Sequence, residues 1–185
     1  MTRVTKHSRV GFAVIKVRSG NTAYFLMRLN PRWKDINFIG GHQEERDRGN
    51  LQKTTRRELW EEVPSIRNYG KLELEALTPE TRYGPILSRS RGGEVVYQLQ
   101  FFLLKLSKDP VRLVEALGSR TRNIWVKQED LIDQRRFRIS GLVKLLNNIF
   151  PGGLAAIPYT STADLNDIRG RFERDDQRQL ELALK

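Results

Sequence analysis

The sequence predicts a single α/β domain, with a mixed β-sheet covered by helices. Two observations carry this. Segments follow in the order strand, strand, short strand, helix, strands, helix, helix, and a sheet interleaved with helices buries its faces against them. The length, 185 residues, is enough for one full core with a tail. The domain is expected over residues 1–157, and residues 158–185 form a charged tail.

Residues 1–8 are polar and basic and read as a loose arm. Arg9 to Arg18 is rich in Val, Ile and Phe, as in a strand buried on both faces. Ser19-Gly20-Asn21 signals a turn, and Tyr24 to Leu29 supplies a second strand that makes a hairpin. Asn30-Pro31 breaks it. Trp33 reads as a core residue rather than the mouth of a site. Ile36 to Ile39 is a short strand that delivers Gly40-Gly41.

Asn50 suits an N-cap, and Leu51, Thr55, Leu59 and Val63 form a partly polar helical stripe that Pro64 stops. Lys71 to Leu77 alternates Leu and Glu, with Leu72 and Leu74 facing inward. Thr81 to Ser90 is less regular and kinks at Tyr83-Gly84-Pro85. Arg91 to Glu94 reads as a hairpin turn, and Val95 to Leu106 as a long central strand. After a loop at Asp109-Pro110 come a short strand at Ile124 to Val126 and a helix from Gln128. A second helix runs from Gly141 to Phe150, with Ser140 as N-cap and Leu142, Leu145, Leu146 and Ile149 as its apolar face. The tail carries Leu165, Ile168 and Phe172 at helical spacing, and either docks on the domain, contacts a second copy in a homodimer, or stays loose.

Composition narrows the chemistry. There is no cysteine, so disulfides, thiolate metal sites and a cysteine nucleophile are excluded. Two histidines, His7 and His42, are too few for a histidine zinc site. Val10 to Val17 is too short, and too interrupted by Lys16, for a membrane span or signal core, so a cytoplasmic location and no membrane partner are expected. The net charge of +11 favours polyanions such as nucleotides or nucleic acid. Arginine outnumbers lysine, and arginine grips phosphate bidentately.

The stretch with chemical content is Gly40 to Glu62. Glu58, Glu61 and Glu62 stand at i, i+3 and i+4, so they share one face of the last two helical turns. Grouped carboxylates suit a hard divalent cation such as Mg²⁺ or Mn²⁺. A solvated acidic face is the plainer account, because like charges on a helix cost only about 0.2–0.5 kcal/mol per pair and Arg56 and Arg57 stand beside them.

The whole string weighs against the plain account. Phe38-Ile39-Gly40-Gly41-His42, followed by Arg57-Glu58-Leu59-Trp60-Glu61-Glu62-Val63, resembles the box of the Nudix family. The likeness implies an α/β/α sandwich with a loop–helix–loop beside a mixed sheet. It implies metal ligands at Glu58, Glu61, Glu62 and the Gly40 carbonyl, and catalytic roles for Glu61, Glu58 and Arg57. Arg57 would orient a glutamate by a charge-assisted hydrogen bond. Gly41, Arg82 and Arg91 are the substrate-side candidates, the two arginines as a phosphate clamp. The chain departs from the pattern in four ways. Asp47 stands where the family has Glu, with nine residues rather than seven between it and Arg57. Pro64 replaces a glycine, and Ser65 an apolar residue. Glu44 or Glu45 are alternative sources of the missing carboxylate.

Two functions follow. One is a metal-dependent hydrolase that cleaves the diphosphate linkage of a nucleoside diphosphate derivative, with Glu94, Glu115 or Glu129 as further candidates for the base. The other is a catalytically weak or inactive domain that senses a nucleotide or nucleic acid.

Overall fold

The computed structural model describes residues 6–30, 34–69, 72–88, 93–106, 122–133, 138–165 and 172. Trp33, Arg89, the Arg91 turn, the Asp109-Pro110 loop, Glu115 and the tail after Leu165, Phe172 excepted, lie outside them.

Two sheets form the centre. The first is five-stranded. It holds β1 (Lys6–Val14), β5 (Ile39–His42), β6 (Glu73–Ala76), β7 (Thr81–Ser88) and β8 (Gly93–Lys105). β8 pairs parallel to β1 and antiparallel to β6 and β7, and β1 pairs antiparallel to β5. The sheet is therefore mixed, and the long apolar strand sits at its middle as expected. The second sheet is four-stranded. It has β3 (Thr22–Asn30) at its centre, antiparallel to β2 (Lys16–Ser19), β4 (Asp35–Asn37) and β9 (Asn123–Lys127).

Alternation along the strands divides the core into two. Ala13, Ile15, Leu26, Phe102 and Leu104 point to one face, where α1 (Leu51–Glu62) contributes Leu51, Leu59 and the following Val63. Val10, Phe12, Val14, Phe101 and Leu103 point to the other. There α2 (Gln128–Asp133), α3 (Gly141–Ile149) and α4 (Gly153–Ala156) bring Leu131, Val143, Leu146 and Leu154. Helices thus cover both faces of a mixed sheet. No helix among the described residues is long and apolar enough to cross a membrane.

Three expectations need correction. The run Arg9 to Arg18 is not one strand. It breaks at Ile15 and passes directly from the first sheet to the second. Lys16 marks the crossing. Its side chain is buried, and Nζ donates to the carbonyls of Leu154, Ala155 and Ile157 at 2.9–3.0 Å. The expected strand Ile36 to Ile39 likewise divides at Phe38 into β4 and β5, one for each sheet. Ser140 is the N-cap residue of α3 as expected, its carbonyl accepting from Val143 N at 3.2 Å, while its hydroxyl donates to Asn37 Oδ1 at 2.8 Å and makes no bond to the helix. In α3 Leu146 is buried and Leu142 and Leu145 pack half-buried against the same core, as expected; Val143 is buried with them, and Ile149 is 37% exposed.

The described part of the tail docks on the domain. Thr160 N donates to Lys16 O, and Leu165 N donates to Arg18 O. Leu165 is fully buried, and Phe172 stacks on Tyr24 and meets Trp125 edge-on.

Candidate functional site

The site is built where α1 crosses β1 and β5. Asn50 caps the helix, its side chain accepting from Lys53 N at 3.1 Å. The helix lies directly on the β1 backbone because Gly11 has no side chain: a β-carbon there would stand 2.7 Å from Leu51 O. Gly11 pairs with Gly41 on β5. A β-carbon on Gly41 would stand 2.7 Å from Glu58 Oε2, so the Glu58 carboxylate rests against that glycine. A carboxylate can come this close to the strand only where no side chain intervenes.

Arg57 is the hub. Its Nη2 donates to His42 O at 2.8 Å, and Nε and Nη2 reach the two oxygens of Asp47 at 3.3 and 3.2 Å. Nη1 meets Glu58 Oε1 at 2.8 Å, with Glu61 Oε2 and Glu44 Oε1 each at 3.3 Å. Burial alone would weaken the guanidinium charge, but hydrogen bonds and charge from Asp47 and Glu58 hold it far above its usual range.

Asp47 explains the longer loop. Glu45–Asp47 is a single 3₁₀ turn, closed by Arg48 and Gly49 with left-handed φ of 51° and 75°. The Asp47 carboxylate is buried and accepts from Glu44 N at 2.9 Å and from the Thr54 hydroxyl at 3.0 Å, as well as from Arg57. Burial pushes its pKa up, and the bonds from Arg57, Glu44 N and Thr54 outweigh that and lower it. Of the three carboxylates weighed for the variant position, Asp47 takes the two-pronged pair with Arg57, and Glu44 adds a single contact. Arg9 holds the far side of the loop, donating to Gly49 O at 2.7 Å and to both oxygens of Glu80.

The three helix glutamates occupy different surroundings. Glu61 is exposed and shared between Arg46 and Arg57. Glu58 is largely buried, and desolvation raises its pKa against the pull of Arg57. Glu62 pairs with Arg28 of β3, yet burial raises it to about 7, and the charge of Glu58 adds to the rise. Glu62 Oε2 is buried with no hydrogen-bond partner among the described residues. Among those residues no group of three or more His, Asp or Glu side chains is arranged to hold a metal ion. Arg28, Arg46 and Arg57 each pair with one or more of these carboxylates.

Gly40 stays at the site: it pairs with Phe12 beside Gly41, and its backbone hydrogen-bonds Glu62. The other sequence candidates lie further off. Arg82 is exposed on β7 opposite Gln98, which pairs with Arg9 on its other side, so three strand spacings, about 14 Å, separate it from β5. Glu94 stands at the start of β8, six residues from Gln100, which faces Gly11; that is about 20 Å of strand. Glu129 is exposed in the first turn of α2. Arg28 was not singled out in the sequence, because nothing in an alternating strand marks which arginine will meet a helix end. Its one signal is a charge within an otherwise apolar run, Tyr24 to Leu29.

No protein-family model matches the chain. No curated protein matches it either. Among solved structures it is similar to Nudix proteins. NrtR of Shewanella oneidensis is 15% identical with a TM-score of 0.47, over 92% of this chain and 63% of that one. A Nudix hydrolase from Nitrosomonas europaea is 17% identical with a TM-score of 0.47, over 83% of this chain and 97% of that one. The Ap4A hydrolase of C. elegans is 17% identical with a TM-score of 0.42, over 68% and 84%. The chain thus spans less than two thirds of the NrtR chain.

Proposed function

We propose that this chain is a Nudix-type, divalent-metal-dependent hydrolase that cleaves a diphosphate linkage in a nucleoside diphosphate derivative. The observation that carries the reading is the Glu58 carboxylate seated against Gly41, with Glu62 behind it holding a buried, unpartnered oxygen. Buried oxygen donors that repel one another are what a hard cation relieves. Glu58 and Glu62 fit that role, with Glu61 as the third donor once it leaves Arg46 and Arg57, and the Gly40 carbonyl as a further one. A bound Mg²⁺ or Mn²⁺ would neutralise diphosphate charge and polarise phosphorus toward water.

The chain's own residues supply the rest. Gly41 leaves room for the Glu58 carboxylate against the backbone. Arg57, fixed by Asp47 and His42 O, orients Glu58 and Glu61. In the metal-free protein burial and the charge of Glu58 raise Glu62 to about 7, a cost that a bound cation would offset. Arg28 and Arg46 bring positive charge to the rim.

The test is titration of Mg²⁺ and Mn²⁺ into wild type and Glu61→Gln, with and without a non-hydrolysable nucleoside diphosphate derivative, followed by a hydrolysis screen. Metal binding strengthened by the nucleotide and lost in the variant supports the reading. Hydrolysis of every cleaved substrate unchanged in Glu61→Gln would sink it.

A second reading, a sensor that binds nucleotide or nucleic acid without cleaving it, draws on the same ion pairs. Arg28, Arg46 and Arg57 pair with all three glutamates without a metal. Absence of Glu61-dependent metal binding, together with salt-sensitive nucleic-acid binding, would favour it.

A further inference from the structure

A second concave site lies at the other end of the sheets, lined by Arg18, Lys105, Pro158, Tyr159, Ser161 and Thr162 and enclosing about 450 Å³. It shares no residue with the α1 site. Arg18 pairs with Ala23 on β3, whereas Arg28 on the same strand meets Glu62; five residues of strand, about 17 Å, lie between them. Such a volume suits a small organic ligand.

The chemistry of the lining is specific. Arg18 is exposed, and its guanidinium has no ion-pair partner among the described residues; it lies 5.9 Å from the centre of the Tyr159 ring. The Lys105 ammonium is 35% exposed and makes one 3.2 Å pair with Glu75, itself 61% exposed, a contact that water already weakens. The nearby Asp164 carboxylate accepts from Gly20 N at 3.0 Å. The hydroxyls of Ser161 and Thr162 stand at the wall, and Ser161 Oγ also accepts from Ala163 N at 3.2 Å.

The site has a fixed floor. Lys16 Nζ stands 4.9 Å from the Tyr159 ring centre while bound to three carbonyls. Thr160, between the lining residues, is pinned to Lys16 N through Oγ1 at 3.0 Å and to Leu106 N through its carbonyl at 3.1 Å. The lining is thus carried by backbone tied to β2 and β8, not by a free loop end.

We propose that this pocket binds a small organic phosphate monoester, with the phosphate between Arg18 and Lys105 and the organic part against Tyr159 and Pro158. Two cations in the lining select the anion, and arginine adds paired donors that match phosphate oxygens. The half-exposed ring and proline give the organic part an apolar wall.

The experiment is equilibrium dialysis of the full chain against AMP and against inorganic phosphate, in EDTA so that no divalent metal contributes. Saturable AMP binding, tighter than that of inorganic phosphate, is the expected result. Arg18→Gln and Lys105→Gln each weaken it by about tenfold, the usual loss for a hydrogen bond to a charged group. Tyr159→Leu brings AMP down to the affinity of phosphate, and Glu61→Gln changes nothing. Equal affinity for AMP and phosphate would overturn the role of the ring. Failure of AMP to saturate at millimolar concentration, or binding lost in Glu61→Gln and kept in Arg18→Gln, would overturn the site. Arg18 and Lys105 lie outside the α1 site and Glu61 lies within it, so loss in their variants or in Glu61→Gln tells the failure of this pocket from that of the α1 site.

Discussion

Gly41 and Glu58 are in direct contact across the gap between β5 and α1: a β-carbon on the glycine would stand 2.7 Å from Glu58 Oε2 and 2.5 Å from Cδ. The contact ties a strand residue with no side chain to the carboxylate that the proposed chemistry needs most. Gly41→Ala should therefore push the Glu58 side chain out of place. The predicted result is loss of metal binding by at least about tenfold, with a stability cost of about 1–3 kcal/mol from overpacking. Metal titration and urea unfolding on the same variant check both parts.

Asp47 is predicted to matter more for stability than its place in a surface loop suggests. Its carboxylate is buried and receives Arg57, Thr54 and Glu44 N. Asp47→Ala leaves a buried guanidinium short of its main partner, a loss of about 3–5 kcal/mol. The group's pKa is lowered in the folded state. Its contribution is therefore present above the ordinary aspartate pKa and is lost as pH falls through the folded value. Wild type should lose stability below about pH 4, and Asp47→Asn should lose less of it there. Thermal unfolding between pH 2 and 7 reads the difference.

Glu62 gives the opposite sign. Burial raises its pKa to about 7, so between the ordinary glutamate value and 7 the folded state holds a proton that the unfolded chain releases. Its favourable contribution is complete below the ordinary value and fades as pH rises through 7. Glu62→Gln should therefore raise the melting temperature of the metal-free protein at pH 8, by the equivalent of about 1–3 kcal/mol. The gain should vanish near pH 4. Equal melting curves at pH 8 would contradict this account of the buried carboxylate.

Lys16→Met is predicted to destabilise the chain by about 3 kcal/mol, because the carbonyls of Leu154, Ala155 and Ile157 lose their shared donor inside the protein. Burial lowers the lysine pKa to about 8. Between 8 and its unfolded value the unfolded chain holds the extra proton, so this group's share of stability rises with pH in that window. Chemical unfolding of wild type and variant at pH 7 and 10 tests both statements.

Much of this was legible in the sequence, for identifiable reasons. The α1 stripe of Leu51, Thr55, Leu59 and Val63, with its Asn50 cap, could be read because local pattern and tertiary packing agree there. The central position of β8 followed from its long apolar run. The breaks at Ile15 and Phe38 could not be read. Both sit among apolar residues, and only the competition of two sheets for one strand decides where it divides. The Arg28–Glu62 pair was hidden for a similar reason, since its members lie far apart in sequence and on different layers. The role of Asp47 was half visible: the shifted spacing marked the position, but only the turn at Arg48-Gly49 shows how a shorter acid still reaches Arg57.

The passage from β1 to β2 through Ile15 has no intervening loop. A chain that changes sheet in a single step leaves no slack between the two layers. Glu58 is carried on a helix resting on the first sheet, and Arg28 is carried by the second. The spacing of the acidic face from its arginine counter-charge is therefore set like the gap of a vice with a one-piece frame. Closing on a ligand must come from side chains and the loop around Asp47, because the frame itself cannot flex there.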